Sequence, residues 1–131
     1  MEVKRIELQE KCDERGRLIE IFKGGALERE NWGQVYLFTV NPGVTRGNHY
    51  HTAKNEWFHL ASGNADLILQ DTATGEQTVI ELDEDHPESI FIPAGTAHAV
   101  RNQNPFPALI VAYIDQEFDP GFPDTHFLVL A

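Results

Sequence analysis

Two short strings constrain the fold of this chain more than any other feature, because together they carry four side chains of the types that bind metal ions in proteins. The strings are Gly43-x5-His49-x-His51-x4-Glu56-x6-Gly63 and Pro93-x-Gly95-x2-His98-x3-Asn102. Side chains alternate between the faces of a strand, so one strand can present both histidines of the first string on one face, about 7 Å apart. A fold that uses both strings together must bring distant strands to one point.

Glu56 is expected to join the two histidines of its string through a turn. It follows the polar residues 52–55 and opens the apolar run 57–61, which has the composition of a strand. A hairpin at this turn brings the carboxylate beside His49 and His51.

His98 follows the apolar residues 90–92 and a turn at 93–95, and a sheet that curls back on itself brings it to the same point. Three neutral imidazoles and one carboxylate suit a divalent transition metal, although ligand type alone does not rank Zn, Fe, Mn, Co, Ni and Cu. Any one of these histidines alone is more often an ordinary surface or core residue, whereas the four together favour a metal site. The predicted metal ligands are His49, His51, Glu56 and His98.

Short strand-like segments follow one another along the chain, separated by turn residues. The segments are 3–8, 17–22, 34–40, 56–61, 65–70, 77–82, 89–92, 97–101, 108–114 and 126–130. Helical spacing is weak except at residues 26–31, which could form one or two turns. This rhythm and the length of 131 residues predict a single all-β domain, residues 1–131.

The distribution of charge indicates the kind of ligand. The net charge of −11 argues against nucleic acid and anionic membranes as partners, because both attract basic surfaces. Only three of the ten basic residues lie after residue 29, and all three lie within the two strings: Arg46, Lys54 and Arg101. They suggest a small anionic ligand, such as a phosphate or carboxylate, beside the metal. The alternative is three exposed residues that occur there by chance.

Other parts of the sequence exclude further classes. It has none of the glycine-rich loops that bind nucleotides, so we expect no nicotinamide, flavin or nucleotide cofactor. Residues 1–5 lack the apolar stretch of a signal peptide, no run approaches membrane-spanning length, and the single Cys12 cannot form an internal disulfide. These features predict a soluble cytoplasmic protein. His59 alternates away from Glu56, so we expect it to face outward from the barrel as a structural or interface residue.

The two strings resemble the paired motifs of the cupin superfamily. Their one departure is Pro87, which stands where the second motif usually opens with a glycine. The resemblance implies a small antiparallel β-barrel, or jelly roll, that holds a metal ion near the barrel axis.

A narrower resemblance runs over nearly the whole chain. Residues 13–22 resemble a segment near the start of cupin enzymes that epimerise or isomerise nucleotide-activated 4-keto-6-deoxy sugars, such as dTDP-sugar 3,5-epimerases and 3,4-ketoisomerases. Residues 46–56, 92–98, 117–120 and 123–125 resemble the C-terminal cupin domain of the bifunctional capsular polysaccharide enzyme that epimerises, then reduces, a UDP-linked keto-sugar. This resemblance implies epimerisation in surface polysaccharide biosynthesis, with zinc as the metal.

An epimerase of this kind removes a proton from the carbon beside a ketone, and a metal ion near the oxygen stabilises the enolate. If all four motif residues bind the metal, the base must come from elsewhere. Candidates are Tyr36, Lys54, Tyr113 and a metal-bound hydroxide. We expect the anionic substrate, a UDP or dTDP sugar, to contact Arg46, Lys54 and Arg101.

Two other functions fit the same site. A metal-dependent dioxygenase uses a similar ligand set with a redox-active metal, and a non-catalytic sugar-binding cupin uses the metal as a structural element. Barrels of this kind also expose edge strands that dimerisation covers. We therefore expect a homodimer in which the strand at residues 3–8 pairs with a partner chain.

Overall fold

The computed structural model describes residues 1–23 and 33–131, which form twelve β-strands. The strands are β1 (Lys4–Glu7), β2 (Glu10–Asp13), β3 (Gly16–Ile19), β4 (Gln34–Val40), β5 (Thr45–Tyr50), β6 (Glu56–Ser62), β7 (Asn64–Asp71), β8 (Gln77–Asp83), β9 (Glu88–Ile92), β10 (Thr96–Arg101), β11 (Ala108–Ile114) and β12 (His126–Phe127). No residue in the described ranges is helical, and the all-β prediction is confirmed. The helical turns predicted at residues 26–31 lie outside the described residues.

Ten of these strands form two five-stranded antiparallel sheets, with the orders β1-β9-β6-β11-β4 and β12-β5-β10-β7-β8, and β2 and β3 form a separate hairpin. Both large sheets contribute to one buried apolar cluster: Phe58 and Ile110 come from the first sheet, and Leu67 and Val100 come from the second. Two antiparallel sheets that share one core form the predicted jelly roll.

Strand β6 has two buried faces. Phe58 and Leu60 face the core between the sheets, while Trp57 on the opposite face packs against Tyr113 and Phe22 in a second cluster. His59 lies on this outer face as predicted, yet only 4% of it is exposed, since the outer face of the sheet is itself covered. The Nδ1 atom of His59 lies 2.9 Å from the Glu88 carbonyl oxygen, to which it donates a hydrogen bond.

The buried His59 predicts a pH-dependent stability. Burial lowers the pKa of His59; the bond to the Glu88 carbonyl opposes this shift and the charge of Arg17 adds to it. At pH values between the folded and the unfolded pKa, the folded protein therefore keeps the ring neutral while the unfolded chain takes up a proton. The stability associated with this neutral ring is complete above the unfolded pKa of about 6.5 and falls as the pH drops toward the folded pKa.

We expect His59→Asn, whose amide can still donate to Glu88, to lower the free energy of unfolding near neutral pH by on the order of 1 kcal/mol. The fall in Tm from about pH 7.5 to about pH 5 should become smaller than in the wild type, because the titrating ring is gone. Thermal unfolding at both pH values measures this, with the exposed His86→Asn as control. An unchanged pH dependence in His59→Asn contradicts the prediction.

Strand β1 pairs with β9 of its own chain, with Lys4 opposite Phe91 and Glu7 opposite Glu88. Strand β1 lies at the edge of its sheet, so β9 supplies backbone hydrogen bonds on one side only, and no strand of the described residues pairs with the other side. The homodimer in which residues 3–8 pair with a partner chain stays a prediction. The described residues contain no helix that is long and apolar enough to span a membrane.

Candidate metal centre

Three strands bring the four predicted ligands together. His49 lies on β5 and His51 directly follows it, Glu56 begins β6, and His98 lies on β10 opposite His49. One ligand atom from each side chain lies within 4.8 Å of the others. His51, Glu56 and His98 are buried, while His49 is half-buried. The sheet thus curls as the sequence requires for the two strings to meet.

A β-bulge between β5 and β10 sets the position of His49. The register is His98 opposite His49 and then Ala99 opposite Gly47, so Asn48 has no partner on β10. Gly47 and Asn48 both have positive φ angles, 94° and 57°. Such a bulge redirects the side chains that follow it, here toward the neighbouring strand that carries His98.

The bulged residue is fixed from the other side by the end of the chain. The Asn48 Nδ2 atom donates to the Ala131 carbonyl at 2.9 Å, and its Oδ1 atom accepts from the amides of Leu130 and Ala131 at 2.8 and 3.2 Å. The Asn48 carbonyl accepts from the amide of Leu128 at 2.9 Å. Residues 128–131 therefore stabilise the bend of β5 before its histidines.

Glu56 is the negative centre of the cluster, with 1% of its surface exposed. Its Oε1 atom lies 2.5 Å from the His51 Nε2 atom and 3.6 Å from the His98 Nε2 atom. Its Oε2 atom accepts a hydrogen bond from the Tyr36 hydroxyl at 2.5 Å. Burial alone raises the pKa of Glu56, but the bond from His51 and the charges of both histidines outweigh it and lower the pKa. The carboxylate is therefore ionised.

Two of the three histidines have a lowered pKa and the third has a raised one. Burial, together with the charges of His98 and His51, lowers the pKa of His49 to about 4. Burial also lowers the pKa of His98. For His51, burial acts in the same direction, but the hydrogen bond and charge of Glu56 outweigh it and raise the pKa. Two imidazoles are neutral, and the third shares a proton with the ionised carboxylate, which a bound metal would displace. The converging nitrogen and oxygen atoms fit a divalent transition metal.

The cluster lies between two cavities, and Tyr36 and His49 line both. One cavity of about 230 Å³ is mainly apolar and contains Arg46. The other, of about 320 Å³, contains Lys54 and Gln116. A small ligand can therefore approach the cluster while it contacts a cation.

The structure brings Arg46 and Lys54 to these cavities. The Arg46 guanidinium carbon lies 5.7 Å from the centre of the Phe38 ring. Lys54 is 4% exposed, and its Nζ atom donates to the Pro123 carbonyl at 3.3 Å and lies 5.8 Å from the centre of the Phe118 ring. Neither forms an ion pair with a carboxylate in the described part of the chain. Both remain available to an anion.

Two predicted site residues lie outside the cavities, and we withdraw both. Tyr113 lies on the outer face of β11, where its hydroxyl accepts from the Gly33 amide at 2.9 Å. Arg101 follows the inward-facing Val100, so it points outward, and its Nη2 atom lies 3.1 Å from the Asp66 Oδ2 atom. Period-two alternation from the buried neighbours of each residue could have identified both faces.

Sequence reasoning also missed a residue that anchors the cluster. The Asp124 carbonyl accepts from the His51 Nδ1 atom at 2.7 Å, although 73 positions separate the two residues. The only signal in the sequence was the resemblance of residues 123–125, which assigned Asp124 no role.

Comparisons with known proteins agree with the cupin resemblance. The spore coat polysaccharide biosynthesis protein SpsL of Bacillus subtilis is 29% identical over 127 residues, 93% of this chain and 84% of the relative. A probable low-salt glycan biosynthesis epimerase, Agl13 of Haloferax volcanii, is 27% identical, over 90% of this chain and 80% of its own length. These two relatives match the present chain over most of their length.

Two further proteins are much longer than the matched part. A UDP-2-acetamido-2,6-beta-L-arabino-hexul-4-ose reductase of Pseudomonas aeruginosa is 31% identical over 87% of this chain but only 29% of its own length. The crystal structure of the capsular polysaccharide assembling protein CapF from Staphylococcus aureus matches with a TM-score of 0.73 and 31% identity, over 94% of this chain and 34% of that one. The present chain thus spans about a third of each.

The family described as "Polysaccharide biosynthesis C-terminal domain" matches residues 11–126. This range contains both sequence strings that carry the predicted ligands and all the residues that line the two cavities. With this match and the jelly roll that surrounds the histidine and glutamate cluster, the chain belongs to the polysaccharide biosynthesis C-terminal domain family.

Proposed function

We propose that this chain is a metal-dependent epimerase or isomerase of a nucleotide-activated 4-keto-6-deoxy sugar in surface polysaccharide biosynthesis. The observation that carries the proposal is the largely buried cluster of His49, His51, Glu56 and His98 between two cavities, each lined by a cation that has no carboxylate partner among the described residues. The relatives include a probable epimerase and a UDP-sugar reductase, which supports this class of reaction and substrate.

Zinc is the metal that we propose, in line with the resemblance, and the donor set fits it. When bound, it supplies positive charge to the keto oxygen and so makes the adjacent C–H more acidic.

The protein's own residues then move the proton. Lys54 lines the cavity of about 320 Å³ together with His49 and Glu56, and its Nζ atom donates to the Pro123 carbonyl at 3.3 Å, so we assign it the role of the base. Tyr36 borders both cavities, and burial together with the adjacent Glu56 carboxylate raises the pKa of its hydroxyl. The raised pKa keeps this hydroxyl protonated and makes it a weak acid, so we assign Tyr36 the role of holding the Glu56 carboxylate through its hydrogen bond.

Arg46 is proposed to bind the diphosphate. It lies in the cavity of about 230 Å³ beside His49, where a guanidinium without an ion-pair partner among the described residues attracts a doubly charged group, and the rest of the protein is strongly acidic. This arrangement directs the nucleotide toward Arg46 and the sugar toward the cluster.

The test is exchange of the substrate proton with solvent. Protein of known metal content is incubated with UDP- and dTDP-linked 4-keto-6-deoxy sugars in heavy water and followed by NMR. We expect deuterium beside the ketone, a loss of more than roughly 100-fold in His49→Ala, and loss of exchange with retained binding in Lys54→Met. Arg46→Gln is the matched cation control and should weaken binding while exchange persists at saturation.

No exchange by fully metallated wild-type protein overturns the epimerase proposal. Oxygen uptake with bound iron or copper then favours a dioxygenase, and sugar binding without chemistry favours a binding module.

A further inference from the structure

Asp124 is a buried carboxylate that binds the loop between the metal ligands. Its two carboxylate oxygens accept from the Thr52 amide at 2.9 and 3.1 Å, from the Thr52 hydroxyl at 2.6 Å and from the Ala53 amide at 2.8 Å. Asp124 is 4% exposed. These two loop residues directly follow His51, so the carboxylate fixes the backbone at the point where it leaves that ligand.

The backbone of the same residue binds the ligand itself. The His51 Nδ1 atom lies 2.7 Å from the Asp124 carbonyl oxygen, and a carbonyl can only accept, so Nδ1 carries the proton. The other ring nitrogen, Nε2, then faces Glu56 and the rest of the cluster. A metal-binding imidazole is commonly oriented by such a bond from its remote nitrogen.

An unusual backbone conformation allows both contacts at once. Asp124 has a φ of 49°, in the left-handed region that Asp and Asn tolerate better than other residues with a side chain. In this conformation the carbonyl and the carboxylate both reach the end of β5. The neighbouring Pro123 carbonyl also accepts from the Lys54 Nζ atom, so one short turn contacts three parts of the site.

We propose that Asp124 is a positioning residue that sets the orientation of His51 for metal binding. It acts through His51 and touches neither metal nor substrate. This inference rests on the proposed metal centre but does not depend on the sugar substrate. A residue that merely stabilised the loop would change the stability of the protein and leave the affinity for metal unaltered.

Asp115 provides a matched control because it binds the same loop without contacting a histidine. Its Oδ1 atom accepts from the Asn55 amide at 3.0 Å and its Oδ2 atom from the Asn55 side chain at 2.9 Å. Asp115→Asn therefore weakens the loop's anchorage next to Glu56 and leaves the His51 bond in place.

The first measurement is the affinity for Co²⁺ by competition with a chelator. We expect Asp124→Ala to raise the Kd about 10–100-fold, the range typical of residues that orient a ligand. Asp124→Asn keeps one acceptor oxygen, so its Kd for Co²⁺ should lie between those of Asp124→Ala and the wild type. It replaces the alanine variant in this test if that variant does not fold. Asp115→Asn should bind Co²⁺ as the wild type does. Equal losses in the Asp115 and Asp124 variants, or none in either, overturn the proposal.

The second measurement follows the His51 Nδ1 proton by NMR, with and without Zn²⁺. We expect a slowly exchanging signal in the wild type and in Asp115→Asn, and its loss through exchange with water in Asp124→Ala. Retention of the signal in that variant overturns the proposal. A wild type that binds neither Co²⁺ nor Zn²⁺ overturns the proposed function. In that case the His51 Nδ1 signal of the metal-free protein, compared between the wild type and Asp124→Ala, still shows whether Asp124 orients His51.

Discussion

We expect the Glu56→Gln variant to lose its metal ion and, with it, proton exchange on the sugar. Gln preserves the shape of Glu but replaces the ionised carboxylate by a neutral amide, at the buried centre of three imidazoles. Substitution of an outer residue that orients a ligand weakens metal binding about 10–100-fold, and the loss of a charged ligand should cost more. Metal content after dialysis and chelator competition measure this.

Tyr36→Phe is the matched control for Glu56→Gln. It removes the hydrogen bond to the Glu56 Oε2 atom but leaves the carboxylate and the three histidines in place. We expect it to keep one metal ion per chain with an affinity reduced by no more than roughly 10–100-fold. Wild-type metal content and affinity in Glu56→Gln would exclude Glu56 as a ligand, and with it the proposed four-residue centre.

The second large effect is expected from Gly47→Ala, which should lower the free energy of unfolding by about 2–4 kcal/mol. Gly47 has a φ of 94°, and a Cβ atom there would lie 2.8 Å from the His98 carbonyl oxygen and 3.2 Å from the Ala99 Cα atom. Both contacts are with backbone, so the strands must separate at the bulge that aligns His49 with His98. Urea unfolding measures the loss.

Gly75→Ala separates the two causes of this effect. Gly75 also has a positive φ, 78°, but a Cβ atom there meets nothing within 4 Å. Its substitution should therefore cost only the conformational strain, about 1 kcal/mol. Equal losses in the two variants would show that the close approach of β5 and β10 contributes nothing to the effect at Gly47. Of the two variants, we expect only Gly47→Ala to weaken metal binding.

Local patterns in the sequence predicted the fold well and identified four side chains that the structure brings together. His49 lies on β5 and His51 lies two positions further along the chain, directly after the strand, and alternation alone places both on one face. Strand β5 is absent from the strand segments predicted from the sequence, because its sequence TRGNHY lacks alternating apolar residues. Its position comes from pairing with β10 and from the bulge at Asn48, and neither is encoded by local composition.

Contacts between distant segments could not be predicted. The faces of Tyr113 and Arg101 follow from alternation once the inward neighbours are known, but the cover over the outer face of β6 depends on Phe22. The hydrogen bonds that Asp124 accepts from Thr52 join residues 72 positions apart, and no periodicity in the sequence links these residues. The sequence thus identified the four side chains that converge, and the assembled sheets show which contacts hold them in place.

The long separation between Asp124 and the loop that it binds has a consequence for the order of folding. Contacts between remote positions form late, because the entropy of closing the intervening chain must be overcome first. The loop after His51 gains its last anchor only when the strands between residues 52 and 124 have assembled. Metal uptake at full affinity should therefore be among the last events of folding, after the barrel has closed.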